Sequence, residues 1–303
     1  MTPDALRARI DGVATWKRGD RRAPHKPLLL LTALARFADG TERLHFTEVE
    51  APLRALLRDF GPVGSDKNPH PPFWRLQSGG VWTVEPTDGV VLTSSGDPTL
   101  TSLRAVDPAG RFPDDVAALL RAQPALIGEI AASLLDAHFP ATLHDDILAA
   151  VGLDLDAGRS ERRRRRRDPG FRDAVLRAYG YRCAVCGFET RVGHQLVGID
   201  AAHVRWHQAG GAGVNDVSNG VALCVLHHRL LDRGAFTLTP TSSHERVVEV
   251  SEDAHGGPGF KTWLLDFHGR AIAAPVRTAD RVAEPSAAWH RREVFRGPAR
   301  ERS

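Results

Sequence analysis

Cysteine is scarce in this chain, three residues in 303, so a disulfide scaffold is excluded and a reducing compartment is expected. Long hydrophobic runs are missing as well. The longest, around Leu28 to Ala35, is too short to span a bilayer. The opening Met-Thr-Pro-Asp-Ala has neither a basic n-region nor an apolar h-region, so no signal peptide and a cytoplasmic location are expected. Excess charge is small: 40 Lys plus Arg against 37 Asp plus Glu leave a formal net charge of +3. That excess alone defines no nucleic-acid partner, and where the charge sits matters more. No internal repeat is found. What is present, 42% hydrophobic and 25% charged residues, is an ordinary globular composition that excludes wholesale disorder. At this length two domains are expected.

The positive charge is concentrated in one place. Arg162 to Arg167 form a block of six arginines, followed by Asp168-Pro169-Gly170. Like charges repel and resist packing, and Pro and Gly punctuate the chain, so a linker is expected at 158–170. It separates an N-terminal domain, 1–157, from a C-terminal domain, 171–270. The arginine block also suits a nonspecific phosphate tether. Beyond residue 270, Arg, Ala, Pro and Glu dominate, and a loosely ordered tail, 271–303, is expected.

The coarse elements follow from pattern. A buried helix is expected over Leu28 to Phe37, with Pro27 at its first position. Thr47-x-x-Glu50 has capping-box spacing, with Thr47 as N-cap ahead of a helix over Ala51 to Phe60. Phe73 to Gln77 and Val81 to Val84 flank Ser78-Gly79-Gly80 and read as a hairpin. Asp114 to Ala122, Ala125 to Ala137 and Leu143 to Ala150 read as helices. Further on, Asp168 to Ala178 reads as a helix and Val197 to Val204 as a strand. Ala222 to Leu231 reads as a helix stopped by Gly234. Helices and short strands without βαβ alternation give an α+β class.

Two short-spaced pairs, Cys183-x-x-Cys186 and Cys224-x-x-His227, have the ligand types and spacing of a tetrahedral structural zinc site. Gly187 permits the tight turn after the first pair. Four protein ligands leave no open position, so such a site holds the fold and does no chemistry.

Interleaved with these pairs stand His203, Asn219 and His228. In that order, within residues 170–240, they resemble the HNH endonuclease family with its zinc-braced ββα-metal fold. The resemblance implies phosphodiester hydrolysis with a divalent ion, Mg2+ or Mn2+. It makes His203 the general base, suited by an ordinary imidazole pKa near 6.5. It has Asn219 orient that imidazole or fasten the loop. It makes His228 a ligand of the catalytic ion. Asp232, four residues on and on the same helical face, is a second candidate ligand. Many relatives carry a ligand directly before the base, where this chain has Ala202. Asp200 is the nearby carboxylate, although adjacent strand positions alternate faces. His227 and His228 cannot both face one ion, and the spacing from Cys224 gives His227 to zinc.

The N-terminal part has its own cationic segment. Arg21-Arg22-Ala23-Pro24-His25-Lys26-Pro27 runs into the leucine helix and joins cations and proline rings to a helix N-terminus that favours an anion. With Pro71-Pro72-Phe73-Trp74-Arg75-Leu76 it resembles the sulfur-binding domain of type IV restriction enzymes that cut phosphorothioated DNA. The resemblance implies an apolar niche for sulfur at Ala23, Pro24 and Pro27. His25, Lys26 and Arg75 would then clamp the phosphate and touch base edges. An ordinary phosphate oxygen pressed on proline would lose hydration without replacement. The expected activity is modification-dependent cleavage of double-stranded DNA. A homodimer or two successive nicks would cut both strands. Two alternatives stand beside it: reading a methylated base with Phe73, Trp74 and Trp82, and a non-catalytic zinc module that binds DNA.

Overall fold

The computed structural model describes residues 1–14, 23–154, 169–211, 213–241 and 244–301. The chain divides into two compact units, Met1–Leu155 and Asp156–Ser303. The arginine block lies outside the described residues, as does most of the expected linker. Among the described residues no single helix is long and apolar enough to cross a membrane.

The first unit carries α1 (Pro3–Ala14), α2 (His25–Ala38), α3 (Phe46–Phe60), α4 (His70–Arg75), α5 (Leu100–Val106), α6 (Asp114–Ala122), α7 (Ala125–His138) and α8 (His144–Val151). Its strands, β1 (Leu44–His45), β2 (Thr83–Glu85) and β3 (Ala109–Arg111), form an antiparallel sheet of order β1-β3-β2. Gly110, in the central strand, pairs with both Leu44 and Val84. A Cβ there would fall 2.0 Å from the Trp82 indole, which occupies that space. Trp82 stands in a chain of edge-on rings, Phe46–Phe73–Trp82–Phe112–Phe37, with centroids 5.3 to 6.0 Å apart. Edge-to-face contacts of this kind add stability beyond burial. Here they tie α2, α3 and α4 to the sheet.

Local order differs from the expected pattern at several points. The leucine helix begins at His25 with Pro24 as N-cap, so Pro27 lies inside its first turn. Thr47 is not an N-cap: β1 feeds α3 directly, His45 holds that position, and the Thr47 amide is capped by Asp107 Oδ1 at 2.9 Å. Glu50 is drawn away from the helix end to Arg54 and Arg104. The expected hairpin at 73–84 is absent. Pro71 and Pro72 fit the first turn of a helix, and Phe73 and Leu76 are buried at helical spacing. Gly80, at φ 66°, ends that segment in the left-handed region.

The second unit carries α9 (Pro169–Ala178), β4 (Arg191–Val192), β5 (Gln195–Leu196), β6 (Ile199–His203), β7 (Gly220–Cys224), α10 (Val225–Asp232), β8 (Phe236–Pro240), β9 (Arg246–Val250), α11 (Pro258–Trp263) and α12 (Glu284–Glu293). Three antiparallel pairs form, β4–β5, β6–β7 and β8–β9. The expected helix over Ala222 to Leu231 is really the end of β7 followed by α10. Gly220 to Cys224 are all buried, and in a buried apolar run periodicity cannot separate strand from helix.

The expected loose tail is also corrected. Residues 271–301 pack into the second unit. Ser286, Ala287, Trp289, His290 and Glu293 turn one buried face of α12 inward, while Arg291 stays exposed. His290 Nε2 donates to the Leu231 carbonyl at 3.0 Å, which leaves Nδ1 to accept from the Thr237 hydroxyl at 2.9 Å. Gly234, at φ 73°, admits the Val294 carbonyl where a Cβ would otherwise sit. A composition rich in Arg and Pro concealed this amphipathic face. Trp289 is 1% exposed, so Trp289→Ala is expected to destabilise the second unit by about 3–5 kcal/mol in a denaturant melt.

Candidate functional site

In the second unit, Cys183, Cys186, Cys224 and His227 converge, with all four ligand atoms within 4.8 Å of one another. The turn Cys183–Gly187 closes with a Gly187 amide bond to the Cys183 carbonyl, and Gly187 sits at φ 73°. Ala184 N donates to Ala222 O, which brings the turn to β7. Cys224 is the N-cap of α10, and His227 follows in its first turn. Cys224 Sγ lies 3.1 Å and Cys183 Sγ 3.5 Å from His227 Nδ1, and the Cys186 and Cys224 sulfurs are 4.0 Å apart. A tetrahedral ion with bonds of about 2.0–2.3 Å requires roughly 3.5–3.8 Å between such ligands. The four residues therefore fit a metal ion. His227 Nε2 donates to Trp263 O at 2.8 Å, and this directs Nδ1 at the sulfurs. Burial opposes a charge on His227, yet the Cys183 and Cys224 sulfurs raise its pKa to about 9.

The β6–β7 ladder carries the other residues of interest. His203, the last residue of β6, pairs with Gly220. Its ring stacks on Phe171 of α9, centroids 3.9 Å apart and 12° from parallel. Gly220 is needed for this: a Cβ there would meet Val175 at 2.3 Å and Phe171 at 2.9 Å. His203 Nε2 lies 3.2 Å from Asn215 Oδ1, and the His207 ring is 5.7 Å away.

Asn219 is buried, and its side chain serves the loop backbone. Its Oδ1 accepts from Arg205 N at 2.9 Å, and its Nδ2 donates to Arg205 O at 2.9 Å and Val214 O at 2.7 Å. It fastens the loop.

His228, on α10, lies between two carboxylates. Asp200 Oδ2 is 4.0 Å from Nδ1, and Asp232 Oδ2 is 3.3 Å from Nε2. One ring cannot offer both nitrogens to one ion, so the two carboxylates are not joint ligands with His228. Exposure separates them: the Asp200 side chain is 30% exposed and that of Asp232 only 2%.

In the first unit, His25, Lys26 and Arg75 also gather. The α2 N-terminus has no side-chain cap, so the His25 and Lys26 amides begin the helix beside a proline that has no N–H. Burial lowers the His25 pKa, partly offset by the Ser65 carbonyl at 3.1 Å from Nε2. Burial also lowers that of Lys26, and the Arg75 charge adds to the effect. Arg75 is not free: Nε and Nη2 grip Asp97 at 2.5 and 2.7 Å. Of the three residues expected to form an apolar niche, Pro24 and Pro27 are buried and Ala23 is half-buried. Sequence reasoning passed over Asp97 and His70. The His70 pKa is lowered by burial, against the raising influence of Asp97.

Comparison with known proteins now gives these sites a class. Residues 183–239 match the HNH endonuclease family, so the second unit holds a nuclease domain. Residues 3–156 match the ScoMcrA-like DNA sulfur-binding domain, and the chain belongs to that family. Similar solved structures include a sulfur binding domain of ScoMcrA complexed with phosphorothioated DNA. It is 31% identical over 49% of this chain and 95% of that one, with TM-score 0.42. The type IV phosphorothioation-dependent restriction endonuclease ScoMcrA is 27% identical with TM-score 0.41. The match to it covers 58% of this chain and 39% of that one. A sulfur binding domain of SprMcrA complexed with phosphorothioated DNA is 22% identical over 50% and 95%, with TM-score 0.42. No curated protein matches the chain.

Asn219→Ala would leave the Arg205 amide and two carbonyls unmatched. A loss of roughly 2–5 kcal/mol is expected, with faster hydrogen exchange at the Arg205 amide as the local measurement.

Proposed function

We propose that this chain is a restriction endonuclease that recognises phosphorothioated DNA through its first unit and hydrolyses it with its second. One observation carries the reading: a sulfur-binding family domain and an HNH domain share one chain. The clustering of Lys26 with Arg75 supports it. Burial first, and the Arg75 charge after it, lower the basicity of Lys26, and an incoming phosphate relieves both. His25, kept neutral by burial, is free to meet a base edge. Asp97 leaves Nη1 of Arg75 for the DNA. Sulfur is larger, more polarizable and a weaker acceptor than oxygen, so the niche must be apolar. Ala23 is its remaining candidate from the first segment.

In the second unit, His203 is the general base that takes a proton from water. Asp200 and His228 Nδ1 are the pair that would hold the catalytic divalent ion, Mg2+ or Mn2+. Their oxygen and imidazole donors suit it. When bound, that ion stabilises negative charge on the leaving oxygen. Asp232, assigned as a ligand from spacing alone, instead holds Nε2 and turns Nδ1 outward. Asn219 keeps the loop after β6 in place. The Cys3His cluster is read as a structural zinc site that pins the start of α10 and so sets His228. The protein works on DNA in the cytoplasm, either as a homodimer or by two successive nicks.

Duplexes of one sequence, with and without a phosphorothioate, test the reading in the presence of Mg2+ or Mn2+. Cutting of the modified duplex alone is expected, and equal cutting of a methylated duplex would favour the methyl-base alternative. His203→Ala is expected to lower cleavage about 100- to 10,000-fold while DNA affinity is kept. Cys186→Ser is expected to lose bound zinc, measured by atomic absorption, and to lower the melting temperature of the second unit.

A further inference from the structure

The Phe171 stack holds the plane of the His203 ring but not its orientation within that plane. A half-turn about the bond from Cβ to the ring leaves the faces stacked and exchanges the positions of nitrogen and carbon. Something else must choose which nitrogen faces the water. Asn219 does not do so in this structure: its Oδ1 and Nδ2 serve the backbone of Arg205 and Val214. A polar side chain that does meet the ring is Asn215, on the loop that Asn219 fastens, with Oδ1 at 3.2 Å from Nε2.

We infer that Asn215 is the positioning residue of the His203 base, an inference that rests on the nuclease reading only for the word base. An amide oxygen can only accept, so Nε2 must carry the hydrogen and Nδ1 the lone pair. This contact therefore sets the tautomer and turns the Nδ1 lone pair away from Asn215. The elements around the ring carry other charged groups. Arg172 on α9 turns to Ile199 O at 3.1 Å and lies 3.9 Å from Asp200. His207 presents a ring at 5.7 Å, Asp216 neighbours Asn215 in the loop, and β7 contributes uncharged Gly220 opposite His203. Asn219 therefore acts at one remove: it holds the loop, and the loop delivers Asn215.

Asn215 is exposed, so its replacement should not threaten the fold. The experiment uses the full chain, with Asn215→Ala and Asn215→Asp. Nitrogen-15 NMR of the imidazoles reports tautomer and titration of His203 directly. The parent is expected to show the Nε2–H tautomer and Asn215→Ala a mixture of the two. Asn215→Asp is expected to titrate about one unit higher, because a carboxylate favours the charged ring. Cleavage should fall roughly 10-fold in Asn215→Ala with DNA affinity unchanged. The acid limb of the pH–rate profile should move upward in Asn215→Asp. A parent in the Nδ1–H tautomer, or identical His203 titration in all three proteins, would overturn the inference. Cutting by the parent tests the nuclease reading separately, and the spectra decide this inference in either case.

Discussion

A polar group taken out of water must be met by another, and both sites are built on that requirement. The Asn219 amide is 2% exposed, and its three backbone bonds close the loop between Arg205 and Val214. Leaving such groups unmatched costs more than making them gains, so the loop has little freedom to move away from His203. His227 obeys the same rule. Its Nε2 is matched by the Trp263 carbonyl, and only Nδ1 is left for the sulfurs. In the first unit Glu50, buried in α3, is met by Arg54 on its own helix and by Arg104 on α5. The Arg104 and Arg54 bonds hold the Glu50 pKa low despite burial.

Apolar packing then positions what the polar bonds orient. The edge-on chain from Phe46 to Phe37 passes through Phe73, two residues before Arg75, and through α2, whose first turn carries Lys26. The cations therefore stand on rigid elements, where side-chain order costs least on binding. On the nuclease side, Phe171 fills the space that Gly220 leaves open and provides the surface on which His203 lies.

Much of this was legible in the residues. The Cys183/Cys186 and Cys224/His227 spacings brought four side chains of metal-binding type to one point, because each pair lies within a single turn of chain. The family order of His203, Asn219 and His228 led to one ladder and its helix, although spacing alone could not show that Asp232 and Asp200 approach opposite nitrogens. What stayed hidden depends on contacts through space. Asp97 is 22 residues from Arg75, and Asp107 is 60 residues from the Thr47 amide it caps. Asn215 is 12 residues from His203, in a Gly-rich stretch with no periodic signal. The misread hairpin at 73–84 has a different cause. Prolines in a helical first turn look like strand punctuation when the aromatic run after them is short.

The bonds of α12 to Leu231 and Thr237, and the seat that Gly234 gives Val294, bear on how this nuclease could be transplanted. The segment that matches the HNH family ends at residue 239, yet the floor under α10 is laid by residues some fifty positions later. A graft cut at the family boundary would carry the Cys3His cluster without the brace beneath it. A portable cassette has to run from α9 to about residue 300, so recombination that respects this protein must exchange the whole second unit.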